Sequence, residues 1–322
     1  MNVGVLVTGG SGFLGCAVLQ ALQLRGVHPL TASVRSTNVD LLPELHLKQV
    51  AGLGPDTDWK ECVQGVNTVI HCAARAHVMK DKTVDPLAEY RIVNVAGTLA
   101  LARQAAEAGV RRFVFISSIK VNGELTLSGR RFLPDDTPAP EDAYAISKLE
   151  AERGLMAISR DTGMEIVIIR PPLVYGPGVK GNFAAMIRWI RRGVPLPLGA
   201  VHNRRSLVAL ANLVDFIVLC ADRERSPRAA NEVFLIADGE DVSTTELLRK
   251  VARAYGVKPR LLPIPARWMR FAAGLLGKGA VADRLLGSLA VDSSKARDLL
   301  GWRPVISMDA QLQKMARHDA IF

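Results

Sequence analysis

The stretch that decides the fold is Thr8-Gly9-Gly10-Ser11-Gly12-Phe13-Leu14-Gly15, close to the start of the chain. It follows an apolar run at residues 3–7 and opens a helix predicted over residues 12–25. Glycines with this GxxGxxG spacing allow a tight turn, and they let backbone N–H groups approach a pyrophosphate at a helix N-terminus. The context favours a dinucleotide-binding turn over a purely structural one. The predicted cofactor contacts are Gly9, Ser11, Gly12, Phe13, Leu14 and Gly15.

Short apolar runs alternate with helix-like segments along the rest of the chain. Val/Ile-rich runs separated by helices, such as the one predicted over residues 98–108, indicate a parallel sheet covered on both faces. We therefore predict an α/β fold: a Rossmann-type, doubly wound parallel sheet of about seven strands with a smaller, interwoven C-terminal substrate domain. The predicted strands are residues 3–7, 27–34, 45–50, 68–72, 113–117, 165–169 and 232–236.

The composition of the sequence changes after Arg170, where prolines and glycines become frequent. This change predicts a dinucleotide-binding domain over residues 1–170, with a returning segment at about 206–237. The substrate domain would comprise residues 171–205 and 238–322. Its tail is mostly helical, and Ser243 with Glu246 has the spacing of a capping box.

Composition limits the class of protein. With 49% hydrophobic and 22% charged residues among 322, the chain should fold into a packed globular protein. Its four cysteines form no CxxC pair and no Cys/His cluster, which argues against disulfides and metal sites and favours a reducing cytoplasm. The N-terminus has no basic leader, so no signal peptide is predicted.

The net charge of +10 raises the question of an anionic partner. The basic residues are dispersed and only 5% of residues are aromatic, so no nucleic-acid partner is predicted. Residues 271–289 are the most apolar later stretch, but Lys278, Asp283 and Arg284 interrupt them. An amphipathic or buried helix is expected there, and no membrane insertion.

The end of the second predicted strand bears on the cofactor. NAD sites usually place an acidic residue there for the ribose 2′-hydroxyl, whereas an arginine can accommodate a 2′-phosphate. Arg35, with Ser36 and Thr37 as further donors, predicts NADP(H) as the preferred cofactor and NAD(H) as the alternative. An exposed loop arginine without a specific contact is the competing interpretation.

Tyr144 and Lys148 begin a predicted helix and lie on one face, four residues apart. A free phenol has a pKa near 10. A nearby ammonium and a nicotinamide cation would favour the phenolate and bring proton transfer toward neutral pH. Ser118 ends the fifth strand, at the edge where open α/β sheets bind ligands, so its hydroxyl could hold a substrate oxygen.

Taken together, these motifs resemble the extended short-chain dehydrogenase/reductases, also called the NAD-dependent epimerase/dehydratase family. The resemblance covers essentially the whole chain, and an ordered set of motifs is far more specific than any one of them. The matching segments are residues 8–15, 71–74, 93–98, 117–118, 144–148, 170–171, 205–208 and 300–302.

The resemblance implies three catalytic residues: Tyr144 as general acid/base, Ser118 on the substrate oxygen, and Lys148 on the nicotinamide ribose. Ser118 is preferred because it precedes Val121-Asn122-Gly123 by three residues, matching the family's VYG motif. A slip of one residue would give Ser117 this role instead.

The resemblance implies further contacts on both sides of the cleft. Ala73 and Ala74 would line the cofactor through their backbone, and Pro171 would lie near the nicotinamide carboxamide. Asn94 would fix a backbone turn rather than touch substrate. The residues matching positions that hold a nucleotide-sugar diphosphate are Asn182, Arg205 and, by a looser alignment, Arg284. A guanidinium fork suits that anion, although Arg205 could instead form a surface salt bridge.

Three positions depart from the family pattern. Leu53 stands where an aspartate usually contacts adenine, Asn122 replaces the tyrosine of VYG, and Leu173 replaces an asparagine of UDP-galactose 4-epimerase. Residues 119–124 and 170–178 look most like reductases that act on UDP-4-keto-6-deoxy-N-acetylglucosamine in O-antigen and lipopolysaccharide biosynthesis.

The sequence therefore favours NAD(P)H-dependent reduction of a UDP-linked 4-keto sugar, for surface polysaccharide synthesis. A UDP-hexose or UDP-N-acetylhexosamine 4-epimerase with bound NAD is the alternative. A non-catalytic NADP-sensing protein is more remote, because such proteins typically lose the tyrosine and lysine. Family resemblance further implies a cytoplasmic homodimer.

Overall fold

A seven-stranded parallel sheet organises the computed structural model, which describes residues 4–36, 45–76, 85–275, 277 and 279–319. The strands are β1 (Gly4–Thr8), β2 (Leu30–Val34), β3 (His46–Gln49), β4 (Val66–His71), β5 (Arg112–Ile116), β6 (Glu165–Arg170), β7 (Leu173–Tyr175), β8 (Arg205–Ala209), β9 (Glu232–Leu235) and β10 (Asp241–Val242). The large sheet has the order β3-β2-β1-β4-β5-β6-β9, and every neighbouring pair is parallel. The order reverses direction between β1 and β4, which is the switch point where doubly wound sheets bind ligands.

All seven predicted strands are present in this sheet, so the predicted fold class is confirmed. Their ends shift by a few residues. The run predicted over residues 27–34 begins as a strand only at Leu30, because Pro29 has no N–H to donate to the sheet. The central strands are apolar on both sides since each face is covered by helices; β1, for example, is buried throughout.

The α-helices described lie on both faces of the large sheet and in the rest of the chain. They are α1 (Phe13–Leu24), α2 (Lys60–Val63), α3 (Pro86–Tyr90), α4 (Thr98–Glu107), α5 (Ala143–Thr162), α6 (Gly181–Arg191), α7 (Leu210–Ala221), α8 (Thr244–Ala254), α9 (Ala266–Leu275), α10 (Gly279–Leu286), α11 (Ser294–Leu300) and α12 (Met308–His318). Helices α1 and α7 bury one face of the sheet and α4 and α5 the other. A π-helical stretch (Arg91–Gly97) joins α3 to α4. Of the helices described, none is long and apolar enough to cross a membrane.

A second, three-stranded sheet has the order β10-β8-β7. Its apolar face packs against α6, α8 and α12 in a separate core, and we call this sheet with these three helices the small lobe. The predicted capping box opens α8, where Ser243 and Glu246 exchange side-chain and backbone hydrogen bonds. The two sheets alternate along the chain, since β9 returns to the large sheet beside β6.

A buried ion pair fixes α5 against the end of β6. The Arg170 guanidinium donates to the Glu152 carboxylate through Nε at 2.9 Å and Nη2 at 2.6 Å. Both side chains are at most 5% exposed. Arg170 also donates to Asn122 Oδ1 at 3.0 Å, and Asn122 Nδ2 donates to the Leu133 carbonyl. Asn122 therefore orders the loop after β5, which explains why a tyrosine is not required there.

Candidate active site

The predicted site segments meet at one edge of the large sheet. The glycine turn follows β1, Ala73 and Ala74 follow β4, and Ser118 and Pro171 follow β5 and β6. Because these four strands are parallel neighbours, their carboxyl ends lie side by side. The Pro171 carbonyl accepts a hydrogen bond from the Ile119 backbone at 3.0 Å, so the segments after β5 and β6 are tied together.

The glycine turn lies directly against the segment after β4. Gly9 has a φ of +69°, and a Cβ there would come within 2.9 Å of the Ala73 nitrogen. A Cβ on Gly15 would overlap the Gly9 carbonyl oxygen. Gly12 caps α1 without a side chain, so the first N–H groups of the helix keep their capacity to bind an anion. These features fit a cradle for a pyrophosphate.

The other residues predicted in this turn take different positions. Ser11 is exposed, whereas the side chains of Phe13 and Leu14 pack partly against the core. Their backbone N–H groups, rather than their side chains, are thus what the turn can offer to a dinucleotide.

Arg35 lies just beyond the end of β2 and is exposed. Gln49 donates to its carbonyl at 3.2 Å. Within the described part of the chain, the Arg35 guanidinium forms no ion pair, so its N–H groups can donate hydrogen bonds to a phosphate. Thr37, the third predicted donor, lies outside the described residues. Leu53 packs partly against the core and against Gly97, so a packing contact has replaced the acidic residue expected there.

The end of β4 is held by a buried histidine that the sequence reasoning did not single out. His71 Nδ1 lies 2.7 Å from Thr8 Oγ1, and Nε2 lies 2.9 Å from Thr98 Oγ1. Burial, aided by the charge of Lys148, lowers the pKa of His71 to about 3, so the ring is neutral. It therefore links β1, β4 and α4 at the switch point and does not act as an acid.

Asn94 has the structural role that the sequence predicted. Its Oδ1 accepts from the Arg75 nitrogen at 2.8 Å, and its Nδ2 donates to the Arg75 carbonyl at 3.1 Å. The same Nδ2 donates to Ser147 Oγ at 3.1 Å. Asn94 thus holds the segment after Ala74 against α5.

Tyr144 and Lys148 lie one turn apart at the start of α5. Asp142 caps this helix by accepting from the Ala145 nitrogen at 2.8 Å. Tyr144 is partly buried, with its ring 6.0 Å from the Tyr90 ring, edge to face. Lys148 is 1% exposed, and its Nζ lies 3.9 Å from the centre of the Phe115 ring.

Burial dominates the protonation of both groups. It raises the pKa of Tyr144, and the Asp142 carboxylate adds to the rise. It lowers the pKa of Lys148 to about 7, against the opposing effect of Glu152. The sequence predicts that Lys148 and a nicotinamide cation lower the pKa of the phenol, whereas in the protein alone burial and the Asp142 carboxylate raise it. Tyr144 is thus a protonated acid at neutral pH.

The lowered pKa of Lys148 makes the free energy of unfolding depend on pH. An unfolded lysine keeps its proton up to about pH 10.4, whereas the folded chain releases that of Lys148 near 7. Between these values the unfolded chain binds more protons, so this group makes the free energy of unfolding rise with pH. We expect Lys148→Met to remove that rise between about pH 7 and 10, as measured by urea unfolding of parent and variant. The same pH dependence in both proteins would contradict the burial of this lysine.

Two serines follow β5, and the structure separates their surroundings. Ser118 is partly buried, and its Oγ accepts from the Lys120 nitrogen at 3.3 Å at the start of a short 3₁₀ turn. Ser117 Oγ is buried without a hydrogen-bond partner among the described residues. The hydroxyl of Ser118 is the more accessible to a substrate, and Ser117 remains the alternative.

Lys120 was missed by the sequence reasoning. Its ammonium donates to Glu124 Oε1 at 2.6 Å and to Asp142 Oδ2 at 2.5 Å. Since Asp142 caps α5, this contact fixes the Ser118 turn relative to the helix that presents Tyr144. The i,i+4 spacing of Lys120 and Glu124 was the signal available in the sequence.

Of the three predicted diphosphate ligands, two lie together. Arg205 Nη1 donates to the Arg284 carbonyl at 2.7 Å and to the Gly287 carbonyl at 3.3 Å. Arg284 Nε lies 3.5 Å from Glu124 Oε2, close to the Ser118 turn. Asn182 is exposed in the first turn of α6, and none of the hydrogen bonds described joins it to either arginine.

A sequence model of the NAD dependent epimerase/dehydratase family matches residues 5–237. The chain belongs to this family. The match includes the glycine turn, the Ser118 turn, both catalytic candidates of α5 and all seven strands of the large sheet. The family resemblance seen in the sequence is therefore confirmed, as is the prediction of an enzyme.

Curated and solved relatives of the epimerase/dehydratase family agree with this assignment. The chain is 46% identical over 319 residues to a UDP-glucose 4-epimerase from Vibrio cholerae, covering 98% of this chain and 95% of that protein. It resembles the structure of MoeE5 in complex with UDP-glucose and NAD, with 26% identity, a TM-score of 0.77 and 99% coverage of both chains. UDP-glucuronic acid 4-epimerase from Bacillus cereus, solved with NAD, shares the fold at 20% identity, a TM-score of 0.78 and 99% coverage of both chains.

Proposed function

We propose that this chain is a UDP-sugar 4-epimerase. The observation that supports this most is its 46% identity, over 98% of its length, to the UDP-glucose 4-epimerase of Vibrio cholerae. This proposal takes the alternative from the sequence analysis in place of the favoured 4-keto reductase. The departures at Leu173 and Leu53 had argued against epimerisation. Leu53, however, packs against the core of the large sheet.

The proposed chemistry rests on the residues at the carboxyl edge of the large sheet. In the protein alone Tyr144 is protonated, but the positive charge of an oxidised nicotinamide beside it would favour the phenolate. The phenolate would accept the proton of the sugar's C4 hydroxyl as a hydride leaves C4, and it would give the proton back to the oxygen when the hydride returns to the other face of the ketone. Ser118 would hydrogen-bond the same oxygen. Lys148 would hold the nicotinamide ribose, and the bound nicotinamide nucleotide would supply the hydride acceptor and donor.

The predicted cofactor contacts fit a dinucleotide. The cradle of Gly9, Gly12 and Gly15 would hold the pyrophosphate, with Ala73 at its side. The structures of MoeE5 and the Bacillus cereus enzyme contain NAD. An NAD(H)- or NADP(H)-type cofactor is therefore proposed, and Arg35 decides between the two.

The substrate would lie between the sheet edge and residues 171–205 and 238–322. Arg205 uses its Nη1 group on two backbone carbonyls, so Nε and Nη2 can donate to a diphosphate. The backbone of Arg284 adjoins Arg205, and the Arg284 guanidinium lies 3.5 Å from Glu124, near the Ser118 turn. We propose that Arg205 and Arg284 hold the UDP moiety. Asn182 would add a contact only if α6 lies against the bound ligand.

The test separates epimerisation from reduction. Purified enzyme is incubated with UDP-glucose or UDP-N-acetylglucosamine without added cofactor, and separately with a UDP-4-keto-6-deoxy sugar and NADPH. Interconversion of 4-epimers in the first reaction, with nicotinamide nucleotide co-purifying, is the expected result. Stoichiometric NADPH consumption in the second reaction, without epimers in the first, would replace the proposal by the 4-keto reductase of surface polysaccharide synthesis.

The reductase stays as the second candidate because of Arg35. Its exposed guanidinium suits the 2′-phosphate of NADPH, the pool usually kept for reductive biosynthesis. A sensor without chemistry is disfavoured, since Ser118, Tyr144 and Lys148 are all present.

Arg35 makes a measurable prediction about the cofactor. We expect NADPH to bind more tightly than NADH, because the guanidinium adds a charged contact to the 2′-phosphate. Arg35→Ala should remove most of this preference, costing about 1.5–3 kcal/mol of NADPH binding. Fluorescence titration of both cofactors measures it, with the exposed Arg160→Ala as the control. Equal affinities in the parent would refute the role of Arg35 and leave the fold untouched.

We further propose a cytoplasmic homodimer. All four cysteines are free thiols, which fits a reducing compartment.

The π-helical stretch and α4 form an apolar surface groove, lined by Ile92, Val95, Ala96, Leu99 and Ala100. Ile92 is 48% exposed there, and a second copy would cover it. Light scattering on the parent and on Ile92→Asp tests the dimer.

A further inference from the structure

Helix α9 has apolar side chains on two opposite faces. Its inner face, through Met269 and Ala273, packs against a small core that contains Ala282 and Leu286 of α10. The outer face presents Trp268, Phe271 and Leu275, which are 58%, 64% and 75% exposed. These three residues are spaced i, i+3 and i+7, so they form one stripe along the helix. A helix that serves only to cover a core needs apolar side chains on its inner face alone, so packing within the fold does not account for the apolar outer face of α9.

Two segments that meet just before this helix carry most of the net positive charge of the sequence. Residues 180–203 and 257–282 contain nine Lys and Arg and no Asp or Glu, so the other 272 residues have a net charge of only +1. The two segments lie side by side, since the Leu196 nitrogen donates to the Arg260 carbonyl at 2.8 Å and the Gly199 nitrogen to the Leu262 carbonyl at 2.9 Å. Basic residues that look dispersed along the sequence thus belong to segments that meet at residues 196–199 and 260–262.

The cations beside the stripe are weakly neutralised. The Arg267 guanidinium lies 5.8 Å from the centre of the Trp268 ring and forms no ion pair within the part of the chain described. Arg270 reaches Asp283 only at 4.0 Å, in an exposed pair. An exposed stripe of Trp, Phe and Leu bordered by arginine is typical of helices that lie in a membrane interface. At ten residues, α9 is too short to span a bilayer.

We propose that α9 docks the protein reversibly on an anionic phospholipid surface. Trp268, Phe271 and Leu275 enter the boundary between headgroups and acyl chains, and Arg267 contacts lipid phosphates. Lipid is favoured over a protein partner because the two segments that meet before α9 carry nine basic and no acidic residues, and the Asp283 carboxylate of α10 reaches Arg270 only at 4.0 Å. The cores of protein interfaces, by contrast, are depleted in charged residues. Salt should weaken the binding, since exposed charges are screened.

Docking would bring the rim of the candidate active site close to the membrane. Helix α10, which packs on α9, includes Arg284, and Arg284 reaches Glu124 beside the Ser118 turn. The inference does not depend on the proposed reaction, because it rests on surface residues that take no part in the chemistry.

The experiment is flotation of the full chain with vesicles of phosphatidylcholine alone or mixed equally with phosphatidylglycerol. The parent should float with the mixed vesicles and not with the neutral ones, and added salt should release it. The variant Trp268→Ser/Phe271→Ser/Leu275→Ser should lower the partition coefficient by at least about tenfold, because it removes the inserted apolar area. Arg267→Gln should lower it less and reduce its dependence on salt.

Two controls separate the flotation result from a folding defect and from the proposed epimerase activity. Leu24→Ser removes a side chain that is 89% exposed at the end of α1, and it should float like the parent. Epimerisation of UDP-sugar without vesicles should be the same in the triple variant and the parent, and its absence in both would affect only the proposed function. A parent that stays unbound to phosphatidylglycerol, or a triple variant that floats equally, overturns the inference. A loss of self-association in the triple variant would also overturn it, by assigning the stripe to a second copy.

Discussion

Replacing Tyr144 with phenylalanine should lower kcat by roughly a hundredfold or more, since the change removes a positioned acid/base. The phenylalanine keeps the ring that lies edge to face against Tyr90, so the fold should be retained. Cofactor affinity should also be retained, because the proposed cofactor contacts are the glycine turn and Lys148. Turnover of UDP-sugar and titration with the nicotinamide nucleotide measure the two effects separately.

Two further variants make this result specific. Tyr255→Phe removes another phenol, hydrogen-bonded to Asp319 at 2.7 Å in the small lobe, and kcat should be unchanged. Lys148→Ala should reduce both turnover and cofactor affinity. Full turnover in Tyr144→Phe would show that another group transfers the proton, and Ser118 would be the next candidate.

The second large effect concerns stability. Glu152→Ala leaves the Arg170 guanidinium buried without its carboxylate, and both side chains are at most 5% exposed. Removing one partner of a buried pair typically costs about 3–5 kcal/mol, because the remaining charge is uncompensated. Urea unfolding should show a loss of this size in the free energy of unfolding.

An exposed ion pair outside the proposed dimer groove provides the control. Lys48 and Glu61 lie 3.3 Å apart, and their side chains are 40% and 85% exposed. Glu61→Ala should cost less than about 1 kcal/mol, since surface pairs are screened by water. Equal losses for Glu152→Ala and Glu61→Ala would mean that burial does not govern the Arg170 pair. The double change Arg170→Met with Glu152→Leu should recover most of the loss, because no charge is left buried.

The sequence predicted the parts of the site that depend on local spacing. The glycine turn, the strands and the Tyr144–Lys148 pair follow from short-range patterns, and the structure places each at the carboxyl edge of the large sheet. The direction of the pKa shift at Tyr144 was not predictable in this way. It depends on how much solvent the folded chain excludes, which no residue spacing encodes.

Some predicted substrate contacts also needed the fold. Arg205 and Arg284 are 79 positions apart in the chain, yet a hydrogen bond joins them. Asn182 matched the family motif equally well but lies exposed in α6, apart from both arginines. A motif indicates the role a residue could have. The partners of that residue are determined by contacts between segments that are far apart in the sequence.

The sequence by itself determined the parallel sheet, the glycine turn and the family, because apolar periodicity and glycine spacing act over a few neighbouring residues. Only the tertiary structure decided how Lys120 joins the Ser118 turn to α5, and how two segments without acidic residues meet just before α9. Burial and charge proximity decide such features. Both arise when the chain packs segments that are far apart in sequence, so they appear only in the folded molecule.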